Sequence, residues 1–262
     1  MSSHFEKLVS LMAHLRSPDG CPWDREQTLQ TLRTYLLEET YETLDAIDRE
    51  DPAALKEELG DLLLEVVFLC QVCAEKKLFT IEEVAEGIHD KLVRRHPHVF
   101  GGKKADGARE ALGRWEEIKN KERAAGGDSS VLAGVPEILP ALLRAYRISS
   151  KAAMVGFDWD DVGQILEKVE EEIAELREAV SNRDPVGTSE ELGDLLFAAA
   201  NVGRLAAIDP ETALQAANAK FTRRFRFVEA GLRRRGLAAS SENRAEMEKL
   251  WEEAKAQSRG AR

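Results

Sequence analysis

The sequence predicts an all-α protein built from two tandem helical-bundle domains, and three features point that way. Apolar residues recur at helical spacing between clear helix start and stop residues. Alternating strand-like runs bounded by turn residues are nearly absent. The chain also repeats itself: adding 133 to each position lays residues 38–63 on 171–196 without a gap, so that "EELGDLL" from Glu57 falls on "EELGDLL" from Glu190. Three weaker blocks keep the same order at nearby offsets. They pair Trp23-Asp24 with Trp159-Asp160, "KLVRR" from Lys91 with "KFTRR" from Lys220, and "WEEIK" from Trp115 with "WEEAK" from Trp251. The repeat far exceeds solenoid units of roughly 20 to 50 residues, which favours two related domains.

The elements follow in order. Ser3 with Glu6 forms a capping-box pattern before "KLVSLMAHL", and "SPDG" ends that first helix. A long second helix is expected from near Thr28 to near Glu50. Asp51 then serves as N-cap and Pro52 as the first residue of a third helix. Thr80 with Glu83 repeats the capping box, and the fourth helix should stop before Pro97, whose ring prevents continuation. Residues 125–136, rich in Gly, Ser and Ala, make the linker between domains 1–124 and 137–262, and beyond it the pattern begins again.

Composition narrows the function. A net charge of −11 and a pI near 5.1 disfavour nonspecific binding to nucleic-acid polymers or anionic membranes. Three cysteines, Cys21, Cys70 and Cys73, suit neither a disulfide framework nor a four-ligand zinc site, and Cys70 and Cys73 share a mostly apolar helix face. No leader segment and no membrane-length apolar run is evident, so a cytoplasmic location is expected.

Residues 37–63 hold ten carboxylates in twenty-seven residues, several of them where a helix normally carries apolar side chains. On a helix Glu39 and Glu42 share a face, as do Glu58 and Asp61; Glu172 with Glu175, and Glu191 with Asp194, repeat this. Paired across a hairpin, each set brings four carboxylates together. That arrangement suits magnesium, or manganese, better than zinc. The alternative is a solvated acidic face. A di-iron bundle would need two Glu-x-x-His motifs, and only Glu86 and His89 make one. Gly60 and Gly193 recur within the motif, which suggests close packing or close ligand approach.

Lys220, Arg223 and Arg224 supply positive charge for a polyphosphate, as do Lys91, Arg94 and Arg95, unless they only complement a helix C-terminus. Lys168, one turn before Glu172, is either a phosphate contact or an intrahelical salt-bridge partner. Trp115 and Trp251 either stack on a base or fill a core. "HPHVF", with His96 and His98, lacks the further ligands that would complete a metal site.

With these motifs, together with "CPWDREQT", "LEETYETLDAI", "VGFDW" and "NAKFTRRF", the chain resembles the MazG family of nucleoside triphosphate pyrophosphohydrolases in its two-copy form. The resemblance implies an all-α NTP pyrophosphatase fold and a homodimer. It implies magnesium-dependent hydrolysis of nucleoside triphosphates to monophosphate and pyrophosphate, with broad base specificity and a role in clearing unwanted nucleotides. Matched residue by residue, it makes Glu172, Glu175, Glu191 and Asp194 the metal cluster, with Lys168, Lys220, Arg223, Arg224 and Trp251 as nucleotide contacts. Glu171 is then a candidate to orient the attacking water or take its proton. In two-copy members the second copy is generally taken as catalytic, yet Glu39, Glu42, Glu58 and Asp61 keep a second possible metal site in the first. The competing class is a helical protein that senses nucleotides or holds a partner without turnover; a purely structural scaffold would bind neither.

Overall fold

The computed structural model describes residues 3–102, 106–125 and 130–260, and every regular element among them is helical. The chain divides into two compact units, residues 1–119 and 120–262. The first unit runs through α1 (His4–Leu15), α2 (Pro22–Glu26), α3 (Leu29–Asp48), α4 (Pro52–Glu75), α5 (Ile81–Arg95) and α6 (Pro97–Phe100). The division falls within α7 (Ala108–Ala125). The second unit holds α8 (Ala141–Ala153), α9 (Val162–Ser181), α10 (Pro185–Leu205), α11 (Pro210–Arg234), a 3-10 turn at Ser241–Asn243, and α12 (Arg244–Gly260). Of the predicted linker, residues 126–129 lie outside the described residues. Its later part is tied into the second unit, where buried Lys151 donates to the Val131 carbonyl at 3.2 Å.

Side-chain caps set the helix starts. Ser3 Oγ accepts from the Glu6 backbone at 3.2 Å while the Ser3 N–H donates to the Glu6 carboxylate at 2.8 Å. Thr80 and Glu83 make the same exchange at 3.3 and 2.7 Å. Such caps are worth about 1 kcal/mol each. α5 ends at Arg95, ahead of Pro97, and runs 15 residues, whereas its counterpart α11 continues for 25.

The two hairpins that matter most, α3 with α4 and α9 with α10, share one closure. Each first helix ends with a left-handed residue, Glu50 at φ 52° or Arg183 at φ 54°. The next amide then bonds back across the last turn, Asp51 to Ala46 at 3.2 Å and Asp184 to Ala179 at 3.0 Å. Asp51 and Asp184 next cap the second helix, with proline behind them at its first position. The repeat offset falls from 133 to 130 because α10, at 21 residues, is three shorter than α4 at 24. The left-handed residues that follow these helices, Lys77 and Ala207, show the new offset.

In the first unit Met12, Leu32, Val67, Phe68 and Val72 form the buried core, with α1 and α3 packed on α4. Cys70 and Cys73 are buried in α4, and loss of hydration pushes the Cys70 thiol up, as expected of packing groups rather than reactive ones. In the second unit Val228, Leu232 and Leu250 join α11 to α12. Each unit also has one arginine lock. Arg16 makes a two-pronged pair with Glu75 at 2.7 Å for both bonds, reaches the Asp24 and Gln27 carbonyls, and lies over Phe68. Arg204 of α10 grips Asp158 with two bonds, which pins the loop just before Trp159-Asp160 to the α9–α10 hairpin.

Breaking that second lock gives a test. Arg204 hydrogen bonding holds the Asp158 carboxyl below its usual value of 3.8. The pair's contribution is therefore complete above that pH and is lost as pH falls through the lower folded-state value. Asp158→Asn should cost about 2 kcal/mol near neutral pH, because a largely buried guanidinium loses its partner. In denaturant titrations the gap between wild type and variant should close on acidification; a gap independent of pH would remove the ion pair as its cause.

Candidate active site

α9 and α10 each present carboxylates toward the other. Glu172 and Glu175, one turn apart on α9, meet Glu191 of α10, and each offers an oxygen within 4.8 Å of the others. Glu172 is 3% exposed, and its Oε2 has no hydrogen-bond partner. A carboxylate oxygen so placed demands compensation, and an all-oxygen donor set is the kind that holds a hard divalent cation. Glu191 is half-buried. Loss of hydration raises its pKa first, followed by the charges of Glu175, Glu172 and Asp194. Asp194 is exposed and lies outside the tightest group, but its charge is felt within it.

Lys168 bonds to Glu172 at 2.6 Å and to Glu171 at 2.9 Å, which drives its own pKa well above the ordinary lysine value. It is thus an intrahelical partner of the cluster that also holds Glu172 in place. Glu171 is exposed beside the group.

The first unit repeats the arrangement. Glu39, Glu58 and Asp61 offer oxygens within 4.8 Å of one another, and Glu42 stands near enough to push up both Glu39 and Glu58. In both of those residues lost hydration is the larger cause. One carboxylate escaped the sequence pattern. Glu65, one turn beyond Asp61 on α4, is 7% exposed and leaves Oε2 without a partner. Its signal was present in the sequence as a charge at helical spacing from Glu58 and Asp61, set within an otherwise apolar run. Gly60 and Gly193 do not serve close packing within the chain, since a Cβ at either would meet no atom within 4 Å.

The basic and aromatic residues sit on another helix pair. Lys220 and Arg223 are exposed on α11, and half-buried Arg224 keeps a buried Nε without a partner. Trp251 of α12 packs against Phe221 at 5.2 Å between ring centroids, and Phe221 stacks on Phe225 at 6.0 Å. These rings, with Val228, Met247 and Arg244, line an open pocket of about 530 Å³. Sequence reasoning named Trp251 but missed the two phenylalanines, although their i, i+4 spacing in "KFTRRF" places them on one face. In the first unit Trp115 is covered differently: Arg95 lies 5.4 Å and Lys119 4.4 Å from its ring centre. The His96 and His98 rings are 5.5 Å apart, and neither belongs to the acidic cluster.

Comparison with known proteins agrees with this geometry. The MazG nucleotide pyrophosphohydrolase domain matches twice, at residues 27–100 and 161–228, so each match contains one carboxylate hairpin. The chain is 47% identical over 260 residues to the nucleoside triphosphate pyrophosphohydrolase of Escherichia coli (strain K12), covering 97% of this chain and 98% of that one. It is 45% identical over 251 residues to the nucleoside triphosphate pyrophosphohydrolase/pyrophosphatase MazG of Thermotoga maritima, covering 96% and 95%. A nucleoside triphosphate pyrophosphohydrolase of Mycolicibacterium smegmatis matches over 150 residues at 39% identity, 56% of this chain and 45% of the other. Two domain matches on the two hairpins, with relatives aligned along nearly the whole chain, show that the protein belongs to the MazG family of nucleotide pyrophosphohydrolases.

Proposed function

We propose that this chain hydrolyses nucleoside triphosphates to nucleoside monophosphate and pyrophosphate. The second domain, 137–262, performs the reaction, and magnesium, or manganese in its place, is held by Glu172, Glu175, Glu191 and Asp194. The observation that carries this is the buried, unpartnered Glu172 oxygen gathered with two further carboxylates. Family membership and the names of the relatives point to the same chemistry.

A divalent ion bound there would offset the triphosphate charge and ease deprotonation of a coordinated water. The chain's own groups do the rest. Lys168 fixes the Glu172 carboxylate, and its charge favours an incoming phosphate. Glu171 orients the attacking water or accepts its proton. The water oxygen bonds to the α-phosphorus as the bond from that phosphorus to the bridging oxygen breaks, and pyrophosphate leaves. Lys220, Arg223 and Arg224 neutralise phosphate oxygens. The base enters the pocket of Phe221, Phe225 and Trp251, whose ring faces accept any base, in keeping with broad specificity and clearance of unwanted nucleotides.

In the first domain, 1–124, Trp115 does not present an open face as Trp251 does, since Arg95 and Lys119 lie over its ring. The chain works as a homodimer: Leu166, Leu192, Leu196 and Phe197 are exposed on the hairpin that carries the carboxylates. No helix among the described residues is long and apolar enough to cross a membrane, and the three cysteines are free. We place the protein in the cytoplasm, acting on free nucleotides rather than nucleic-acid polymers.

Product analysis with magnesium and a panel of NTPs and dNTPs should show pyrophosphate and monophosphate, lost in Asp194→Ala and kept in Asp61→Ala; a folded wild-type protein releasing no pyrophosphate would leave a nucleotide-binding protein instead. Lys168→Met should lower kcat/KM about a hundredfold with helix content intact, and unchanged turnover would separate Lys168 from the chemistry. Sedimentation should give about twice the chain mass of 29.2 kDa, whereas a single-chain mass at micromolar concentration would refute the dimer.

A further inference from the structure

The two carboxylate hairpins differ in charge one turn away from their shared motif. α3 and α9 continue in register to Tyr35 and Lys168, and α4 and α10 to Glu65 and Ala198. Because each hairpin is closed at its other end, these positions share a level, the one farther from the turn. In the second unit that level carries a cation, which binds Glu171 and Glu172. In the first unit it carries Glu65, 7% exposed with an unpartnered oxygen, and close enough to Glu39 for the two charges to interact. Tyr35 is uncharged and faces Trp23 edge-on, so no lysine stands where Lys168 does.

A surplus carboxylate in place of a lysine reverses what the level favours. A lysine beside the cluster lowers its demand for cations and welcomes phosphate. A buried glutamate raises the demand for cations and repels phosphate. Glu65 lies outside the three carboxylates gathered within 4.8 Å, yet it sits one turn from Asp61 on the same helical stripe, buried and with an oxygen free to accept, so it is no solvated surface charge.

We propose that Glu65 joins Glu39, Glu58 and Asp61 in a divalent-cation site of the first unit that fills in the absence of nucleotide. The second unit's cluster, tempered by Lys168, takes its cation together with a triphosphate; only this contrast rests on the functional reading above. The first site then contributes cation-dependent stability to its own helical unit, by binding the folded state alone.

The test uses the full chain without nucleotide and Mn²⁺ as the probe, with free ion followed by electron paramagnetic resonance. Wild type should bind Mn²⁺, and Glu65→Gln, which keeps the side-chain shape, should weaken that binding by about tenfold or more. Glu191→Gln should leave it unchanged. Glu58→Gln, at a half-buried position, should act like Glu65→Gln and serves if the latter fails to fold, as judged by circular dichroism. Absence of nucleotide-free binding, or binding that Glu65→Gln and Glu58→Gln leave intact while Glu191→Gln abolishes it, overturns the proposal. Pyrophosphate release measured on the same preparations keeps the two readings apart: its absence would sink the functional reading and leave the Mn²⁺ result to decide this one.

Discussion

The structure turns on a repulsion. Each hairpin brings carboxylates from two helices within a few ångströms of one another, and lost hydration with like charge pushes up Glu39 and Glu58 in one and Glu191 in the other. Such a cluster drives its helices apart unless the rest of the unit holds them. Several features do so. The left-handed closures and Asp-Pro starts fix the turn. Arg16 ties the far end of α4 to the loop before α3, and Arg204 ties α10 to the loop before α9. The apolar side of α4 meets Met12 and Leu32. The locks sit beyond the cluster, so they hold the helices in place without neutralising the charge. Compensation of the carboxylates is left to nearer groups, as Lys168 supplies to Glu172.

Duplication has preserved the turn and the motif while the levels around them have diverged. Pro97 confines α5 to 15 residues, whereas α11 runs 25 and continues past Arg224, the counterpart of Arg95, to carry Phe225 beyond the equivalent point. Trp115 is screened by Arg95 and Lys119, while Trp251 borders a pocket. Tyr35 and Glu65 stand where Lys168 and Ala198 stand. The first unit keeps the basic block of Lys91, Arg94 and Arg95, but it differs in the lysine beside the carboxylates, in what covers its tryptophan and in the length of the helix that carries the basic block. What the two units share is the carboxylate hairpin itself.

Much of this was legible in the sequence, and the physical reason is that helices report themselves locally. Capping residues, Asp-Pro starts and i, i+3 carboxylate pairs are short-range signals, and the gapless offset of 133 showed which mattered twice. The short helices α2 and α6 were not anticipated, since a helix of 5 or 4 residues carries too little periodicity to register. Glu65 went unremarked because burial decides its meaning, and burial depends on α1 and α3 closing over α4. The pairings of Arg16 and Arg204 carry no local signal, because their partners lie 59 and 46 residues away. For the two glycines of the motif, a Cβ would meet no neighbouring group within 4 Å among the described residues, which removes close packing within the chain and leaves the close approach of a ligand.

The division between helix pairs has a consequence for specificity. The carboxylates belong to α9 and α10, while the aromatic pocket belongs to α11 and α12. On the function proposed above, a base held by ring faces would contribute binding that does not depend on its hydrogen-bonding edge, while the carboxylates stand on other helices. Substitutions around Phe221, Phe225 and Met247 can therefore retune which nucleotide enters without disturbing Glu172, Lys168 or Glu191. The reverse does not hold. Any change that loosens the α9–α10 closure moves every carboxylate at once, because all of them hang from the one turn at Arg183 and Asp184. A fold arranged this way can broaden or narrow its substrates at one end while the chemistry at the other stays the same.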